Sequence, residues 1–154
     1  ETWLAEFFQS SPAIGHVDDQ LIFTGADATL IFQDEETVIP DQTLTDSTWL
    51  IDTYIESDAA MTLNLNVSPS LLFGSDGTVT INTGCNGASG IYQDNSGVLR
   101  ISIDAITDAV CEGDLDVVER HILSVLNAGP AYEVDGDRVT LMAGELGLGA
   151  GVAE

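Results

Sequence analysis

The sequence predicts an α+β fold, and three observations carry that prediction. Short apolar stretches alternate with turn-forming Gly, Asp, Asn and Ser along most of the chain. One stretch, Asp114 to about Asn127, repeats its apolar residues at helical spacing instead. The hydrophobic fraction is 44% and mean hydropathy is +0.18, enough to bury a core. The 154 residues suit one domain, or one and a fraction.

The elements follow in order. Trp3, Leu4, Phe7 and Phe8 fall at helical spacing over Trp3 to Gln9, and Ser10-Ser11-Pro12 ends that helix. Leu21-Ile22-Phe23 and Thr29 to Phe32 read as two strands around a turn at Gly25-Ala26-Asp27. Residues 34–47 are polar and read as a linker. Thr48 to Ile55 reads as a strand with Trp49 and Ile51 on one face, and residues 56–69 as a loop. Leu71-Leu72-Phe73 and Thr78 to Asn82 flank Gly74-Ser75-Asp76-Gly77, a hairpin signal. Gly84 to Gly90 is a tight passage of small residues that needs backbone freedom or close approach. Ile91-Tyr92 and Val98 to Ile103 form a second hairpin around Asp94 to Gly97. Asp114 is the expected N-cap of the main helix, Leu115, Val118, Ile122 and Val125 its apolar stripe, and Gly129-Pro130 its stop. Tyr132 to Val134, Arg138 to Met142 and Leu146 to Leu148 close the chain as short strands.

Charge and composition exclude several function classes. The chain has 26 acidic residues against 3 Arg and no Lys, a net charge of −23. No basic surface exists to displace counterions from nucleic acid, and docking by charge onto anionic membranes is disfavoured. No apolar run is long enough to span a bilayer. Cys85 and Cys111 are the only cysteines, and His16 and His121 the only histidines, too few and too scattered for a structural zinc site. By composition the two cysteines are either one disulfide or two buried thiols. Asp94-Asn95-Ser96-Gly97 and Asp135-Gly136-Asp137 are turns that do not continue into calcium loops. No phosphate loop, nucleophile elbow or dinucleotide fingerprint is present.

A helix–turn–strand–strand unit occurs twice. A shift of 118 residues without gaps puts Glu1 on Glu119, Pro12 on Pro130, Leu21 on Val139, Phe23 on Leu141 and Leu30 on Leu148. Residues 1–33 thus read as the C-terminal part of a preceding unit, expected to pack on the main domain or to swap between molecules, because a lone helix and hairpin close no core.

From Thr48 onward the sequence resembles the META/HslJ-like domain family. The resemblance is carried by Thr48-Trp49-Leu50, by Leu72-Phe73 with Asp76-Gly77-Thr78-Val79, and above all by Gly84-Cys85-Asn86 followed by Ser89-Gly90-Ile91-Tyr92. Ile106-Thr107, Cys111, Glu119, Ile122-Leu123 and the closing Asp137 to Leu141 complete it over 48–154. Asp108-Ala109-Val110 departs from the family's more apolar run, and Gly147 and Gly149 imply a soft last strand. The resemblance implies a curved, partly closed antiparallel sheet, a cracked barrel, with one helix packed against it. The implied organisation is 1–33 as the tail of one META-like unit, 34–47 as linker and 48–154 as a complete domain.

The resemblance also implies pairing of Cys85 with Cys111, structural roles for Trp49, Asp76, Gly77, Gly84, Asn86, Gly90, Tyr92, Thr107 and Glu119, and an extracytoplasmic setting: periplasmic, lipid-anchored or secreted. Trp3, Phe7 and Phe8 are the candidate interface residues. No catalytic set, cofactor or metal is expected; His121 reads as a helix-surface residue. The expected function is a non-enzymatic envelope module linked to stress or drug tolerance that binds a protein, peptide or lipid, in an apolar groove near Trp49, Phe73 and Tyr92. The alternatives are a secreted protease inhibitor presenting residues 56–69 and a hydrolase using surface carboxylates.

Overall fold

The computed structural model describes residues 2–38 and 40–153. Residues 1–40 and 41–154 form two compact units.

The first unit begins with helix α1 (Thr2–Gln9), continues as strands β1 (Ala13–Val17), β2 (Gln20–Thr24) and β3 (Thr29–Gln33), and ends with the short helix α2 (Glu35–Val38). The strands form an antiparallel meander in the order β1-β2-β3. The two-strand expectation missed β1, because all five residues of Ala-Ile-Gly-His-Val are exposed and show no alternation. Aromatic rings join helix to sheet: Trp3 stacks on Phe7 at 5.8 Å, Phe8 meets Phe23 edge-on at 5.3 Å, and Phe23 meets Phe32 at 5.7 Å. Phe7 is buried, and Gly25 leaves room for its ring: a Cβ there would lie 2.8 Å from it.

The second unit holds β4 (Thr48–Glu56), β5 (Ala59–Thr62), β6 (Ser70–Phe73), β7 (Thr78–Asn82), β8 (Gly87–Asp94), β9 (Leu99–Ile106), α3 (Asp114–Asn127), β10 (Ala131–Asp135), β11 (Arg138–Ala143) and β12 (Leu146–Val152). Its antiparallel sheet runs β10-β11-β12-β4-β6-β7-β8-β9, with β5 paired to β4. The sheet curls strongly into a half-barrel, and its outer strands meet at one point. There Val98 bridges Ala131, Leu99 N–H donates to Pro130 O, and Tyr132 N–H donates to Gly97 O, both at 2.8 Å. Helix α3 packs against β9, β11 and β12. Its Val118, Ile122, Val125 and Leu126 enter a core with Trp49, Leu71, Phe73, Ile81, Leu99 and Leu141.

Several boundaries differ from the sequence reading. The stretch 34–47 is more than a linker: α2 lies in it, Leu44 is buried in the second core, and its carbonyl accepts the Trp49 indole N–H at 2.9 Å. Residues 56–69 contain β5, whose Ala-Ala-Met-Thr lacks a buried face. Asp114 is the first helical residue and caps nothing. Gly113, at φ 59° and ψ −129°, holds the cap position, and Asp114 and Asp116 act on the helix dipole from the first turn. The last strand is seven residues long and central. Gly147 is a steric necessity, since a Cβ there would strike Met142 Sδ and Leu141 O, and Gly149 is a tight site, where a Cβ would lie 3.1 Å from Thr53 Cβ.

The 118-residue offset holds in the backbone. It carries β1, β2 and β3 onto β10, β11 and β12, and every Cα pairing of the meander lands on a pairing. Ala13↔Thr24 becomes Ala131↔Met142, Val17↔Gln20 becomes Asp135↔Arg138, and Ile22↔Ile31 becomes Thr140↔Gly149. Glu1, which the offset places on Glu119, lies outside the described residues.

Candidate functional site

Two places in the second unit concentrate chemistry. The first is a polar node where the turn after β7 meets the entry to α3. Cys85 and Cys111 form a disulfide there, with Cα atoms 5.8 Å apart. Asn86 lies almost wholly buried beside it and uses its whole amide. Its Nδ2 donates to Ala109 O and Glu119 Oε1, both at 3.1 Å; its Oδ1 accepts from Thr107 Oγ1 at 2.7 Å and from Ala109 N at 2.8 Å. Thr83, also buried, donates to Glu119 Oε2 at 2.5 Å and accepts from Asn86 N at 2.9 Å. Thr107 accepts from Gly87 N at 3.0 Å. Gly84, at φ 88°, makes the turn.

This node pins loop to helix and leaves no donor or acceptor of Asn86 for a ligand. Cys85 Sγ, Cys111 Sγ and a Glu119 oxygen lie within 4.8 Å of one another. With the two sulfurs bonded together there is no thiolate to ligate a metal. Thr83 was not singled out in the sequence; a threonine at a strand end carries no local signal for a partner 36 residues away.

The remaining motif residues serve turns and packing. Asp76 Oδ1 accepts from Thr78 N at 3.0 Å and Thr78 Oγ1 at 2.6 Å, and these hydrogen bonds hold its carboxyl below the usual range. Gly77 follows at φ 84°. Gly90 faces β9 so closely that a Cβ would strike Ser102 O. Tyr92 donates to Gly74 O at 3.0 Å and packs edge-on against Phe73. Trp49 and Phe73 are completely buried. Of the interface candidates, Trp3 and Phe8 are exposed and Phe7 is not.

The second place is a groove of about 560 Å³ between α3 and residues 62–65. Tyr54, Leu63, Leu65, Val118, His121 and Leu146 contribute to its lining, with Glu56, Asp114 and Arg120 also on it. The groove expected near Trp49, Phe73 and Tyr92 is not there, because α3 and the curled sheet fill that region as core. His121 is likewise not a plain surface residue. Its Nε2 lies 2.9 Å from Gly147 O, an acceptor, so that nitrogen carries the proton, and its ring meets Tyr54 edge-on at 5.4 Å.

A half-barrel braced by one helix, with a disulfide at the helix entry, defines a small α+β domain class. The META domain model matches residues 42–147, more than half of the chain, and the chain belongs to the META domain family. An NMR structure of a protein from Burkholderia xenovorans is similar at a TM-score of 0.58 and 17% identity, over 84% of this chain and 97% of that one. A crystal structure of a DUF4847 family protein from Bacteroides vulgatus is similar at a TM-score of 0.52 and 12% identity, over 75% of this chain and 95% of that one. These likenesses show the fold alone. No curated protein matches the chain.

Proposed function

We propose that the chain is a non-enzymatic, extracytoplasmic META/HslJ-like module that holds an apolar, cationic segment of a partner polypeptide in the groove beside α3. The groove carries this reading. It is open, Tyr54, Leu63, Leu65, Val117, Val118 and Leu146 give it an apolar part, and Thr62 at the end of β5 with residues 63–65 forms one side of it, where an extended peptide can lie. The charge of −23 favours a cationic ligand and opposes anionic acyl chains and headgroups. The Cys85–Cys111 disulfide fits an oxidising compartment. Among the described residues no helix is long and apolar enough to cross a membrane. A role in stress or drug tolerance is what membership of this family suggests for such binding.

Fluorescence anisotropy with a labelled alternating Val-Lys peptide tests this. Binding is expected to weaken with salt and to drop at least about tenfold in Val117→Lys, which puts a like charge against the peptide at an exposed groove position. Peptide binding that ignores both, or preferential uptake of a fluorescent fatty acid, refutes it.

We also propose that residues 2–33 are the rear part of a second META-type unit. The support is the preservation of register under the 118-residue offset.

A further inference from the structure

Resting on that last reading, we infer that the first unit is an acceptor for the front half of a META-type domain: a curled antiparallel sheet equivalent to β4–β9, bearing an opening strand that pairs with β3. Phe7 is buried like its counterpart Val125, but burial at four other positions argues for it. In the second unit Ile122, Leu126, Val139 and Ala150 are 0%, 0%, 1% and 1% exposed. Their counterparts under the offset, Leu4, Phe8, Leu21 and Phe32, are 45%, 40%, 38% and 49% exposed. The residues remain large and apolar, so this surface is half of a core without its other half.

The edge tells the same story. β12 lies between β11 and β4, whereas among the described residues β3, its counterpart, pairs only with β2. An apolar, unpaired edge strand is a template for another strand. Carrying the β12–β4 register across the offset gives the expected pairing. Leu30 takes the place of Leu148, opposite a residue like Tyr54; Phe32 takes that of Ala150, opposite one like Ile51. The occupant's apolar side must therefore cover Leu30 and Phe32, as Trp49 and Ile51 help to cover the core over Leu148 and Ala150. A native second copy is a poor occupant, because its own front half already holds α3 and β10–β12, with Cys111 tied to Cys85 just ahead of the helix.

The test supplies a front half from the chain itself. Residues 41–118 are fused ahead of the intact chain, so that Glu1 follows directly and takes the place of Glu119. Hydrogen exchange by mass spectrometry is compared over 29–33 and 147–151. In the unfused chain 29–33 should exchange fast and 147–151 slowly. In the fusion 29–33 should slow to the rate of 147–151, with a blue shift of Trp3 emission read against Trp3→Phe. A parallel fusion carries Phe7→Val, Phe8→Leu and Phe32→Ala, the side chains of Val125, Leu126 and Ala150, to remove overpacking.

Protection of 29–33 in either fusion supports the acceptor. Fast exchange in both overturns it, as does concentration-dependent protection in the unfused chain, which would make a second copy the occupant. Cross-strand NOEs between Ile22 and Ile31 in the unfused chain test the rear-unit reading separately. Their absence sinks that reading, and their presence beside unprotected fusions sinks only the acceptor.

Discussion

The side-chain amide of Asn86 and the carboxylate of Glu119 meet at 3.1 Å, joining the turn after β7 to the second turn of α3 across 33 residues of sequence. The other Glu119 oxygen takes the Thr83 hydroxyl, so one carboxylate fixes both ends of that turn to the helix. A buried group with every donor and acceptor engaged is costly to remove, because its partners lose water and gain nothing.

Asn86→Ala leaves Ala109, Thr107 and Glu119 short of partners and should destabilise the second unit by about 3 kcal/mol in urea unfolding. Glu119→Gln keeps one acceptor and the shape, and should cost about 1 kcal/mol. Asn86→Asp sets two carboxylates together. It should be least stable at neutral pH and recover in acid, where one of them is protonated. Equal, small losses for all three would show that the node is not structural.

The Cys85–Cys111 bridge closes a loop with a sequence separation of 26, which contains β8 and β9. Reduction, or replacement of both by Ser, should lower stability by about 3 kcal/mol, because the unfolded chain regains that loop's freedom. Calorimetry with and without a phosphine reductant measures it.

Much of this architecture was legible in the sequence, and the reasons are physical. Alternation such as Leu99-Arg100-Ile101-Ser102-Ile103 marks a strand with one wet face. The stripe of α3 marks a helix on a core, and Gly-Ser-Asp-Gly marks its own turn. β1 and β5 stayed hidden because neither buries a face, and strands of that kind exist through pairing alone. The groove was misplaced for a related reason. Trp49, Phe73 and Tyr92 are large enough to line a pocket or to fill a core, and how the curled sheet and α3 close decides which. Thr83 and His121 act through partners 36 and 26 residues distant, contacts that no local pattern encodes.

Gly90 and Gly147 are sites of close approach. Gly90→Val pushes a side chain into the Ser102 carbonyl, and Gly147→Val into Met142 and into Leu141 O, which would lie 2.8 Å away at Cβ. Backbone cannot yield as a flexible side chain can, so each should cost roughly 3 kcal/mol, the upper end for overpacking. Gly87→Ala is the control. Nothing lies near its would-be Cβ, and the variant should fold like the parent by circular dichroism and thermal melting.

The seam where β9 meets β10 should make stability fall in alkali. Beside that seam Tyr132 on β10 donates its hydroxyl to Asp94 Oδ2, at the end of β8, at 2.8 Å. Burial first, then that hydrogen bond and the Asp94 charge, push its pKa up to about 12. The unfolded value is about 10, so the folded protein holds the proton more tightly. The resulting stabilisation is complete below about pH 10 and is lost as pH rises towards about 12. Asp94 is exposed and water screens the hydrogen bond, so the loss should stay near 1 kcal/mol. Asp52 works at the opposite end. The Arg138 guanidinium, bonded to it at 2.8 and 3.0 Å, lowers its pKa, and that stabilisation, present above about pH 4, fades as pH falls through the lowered value. Urea midpoints from pH 8 to 12, with phenolate absorbance in parallel, check the alkaline limb. Tyr132→Phe should make it shallower, leaving the part due to Tyr92, whose pKa burial also raises, and should leave the acid limb unchanged; an alkaline decline as steep in that variant as in the parent would place the titrating group elsewhere.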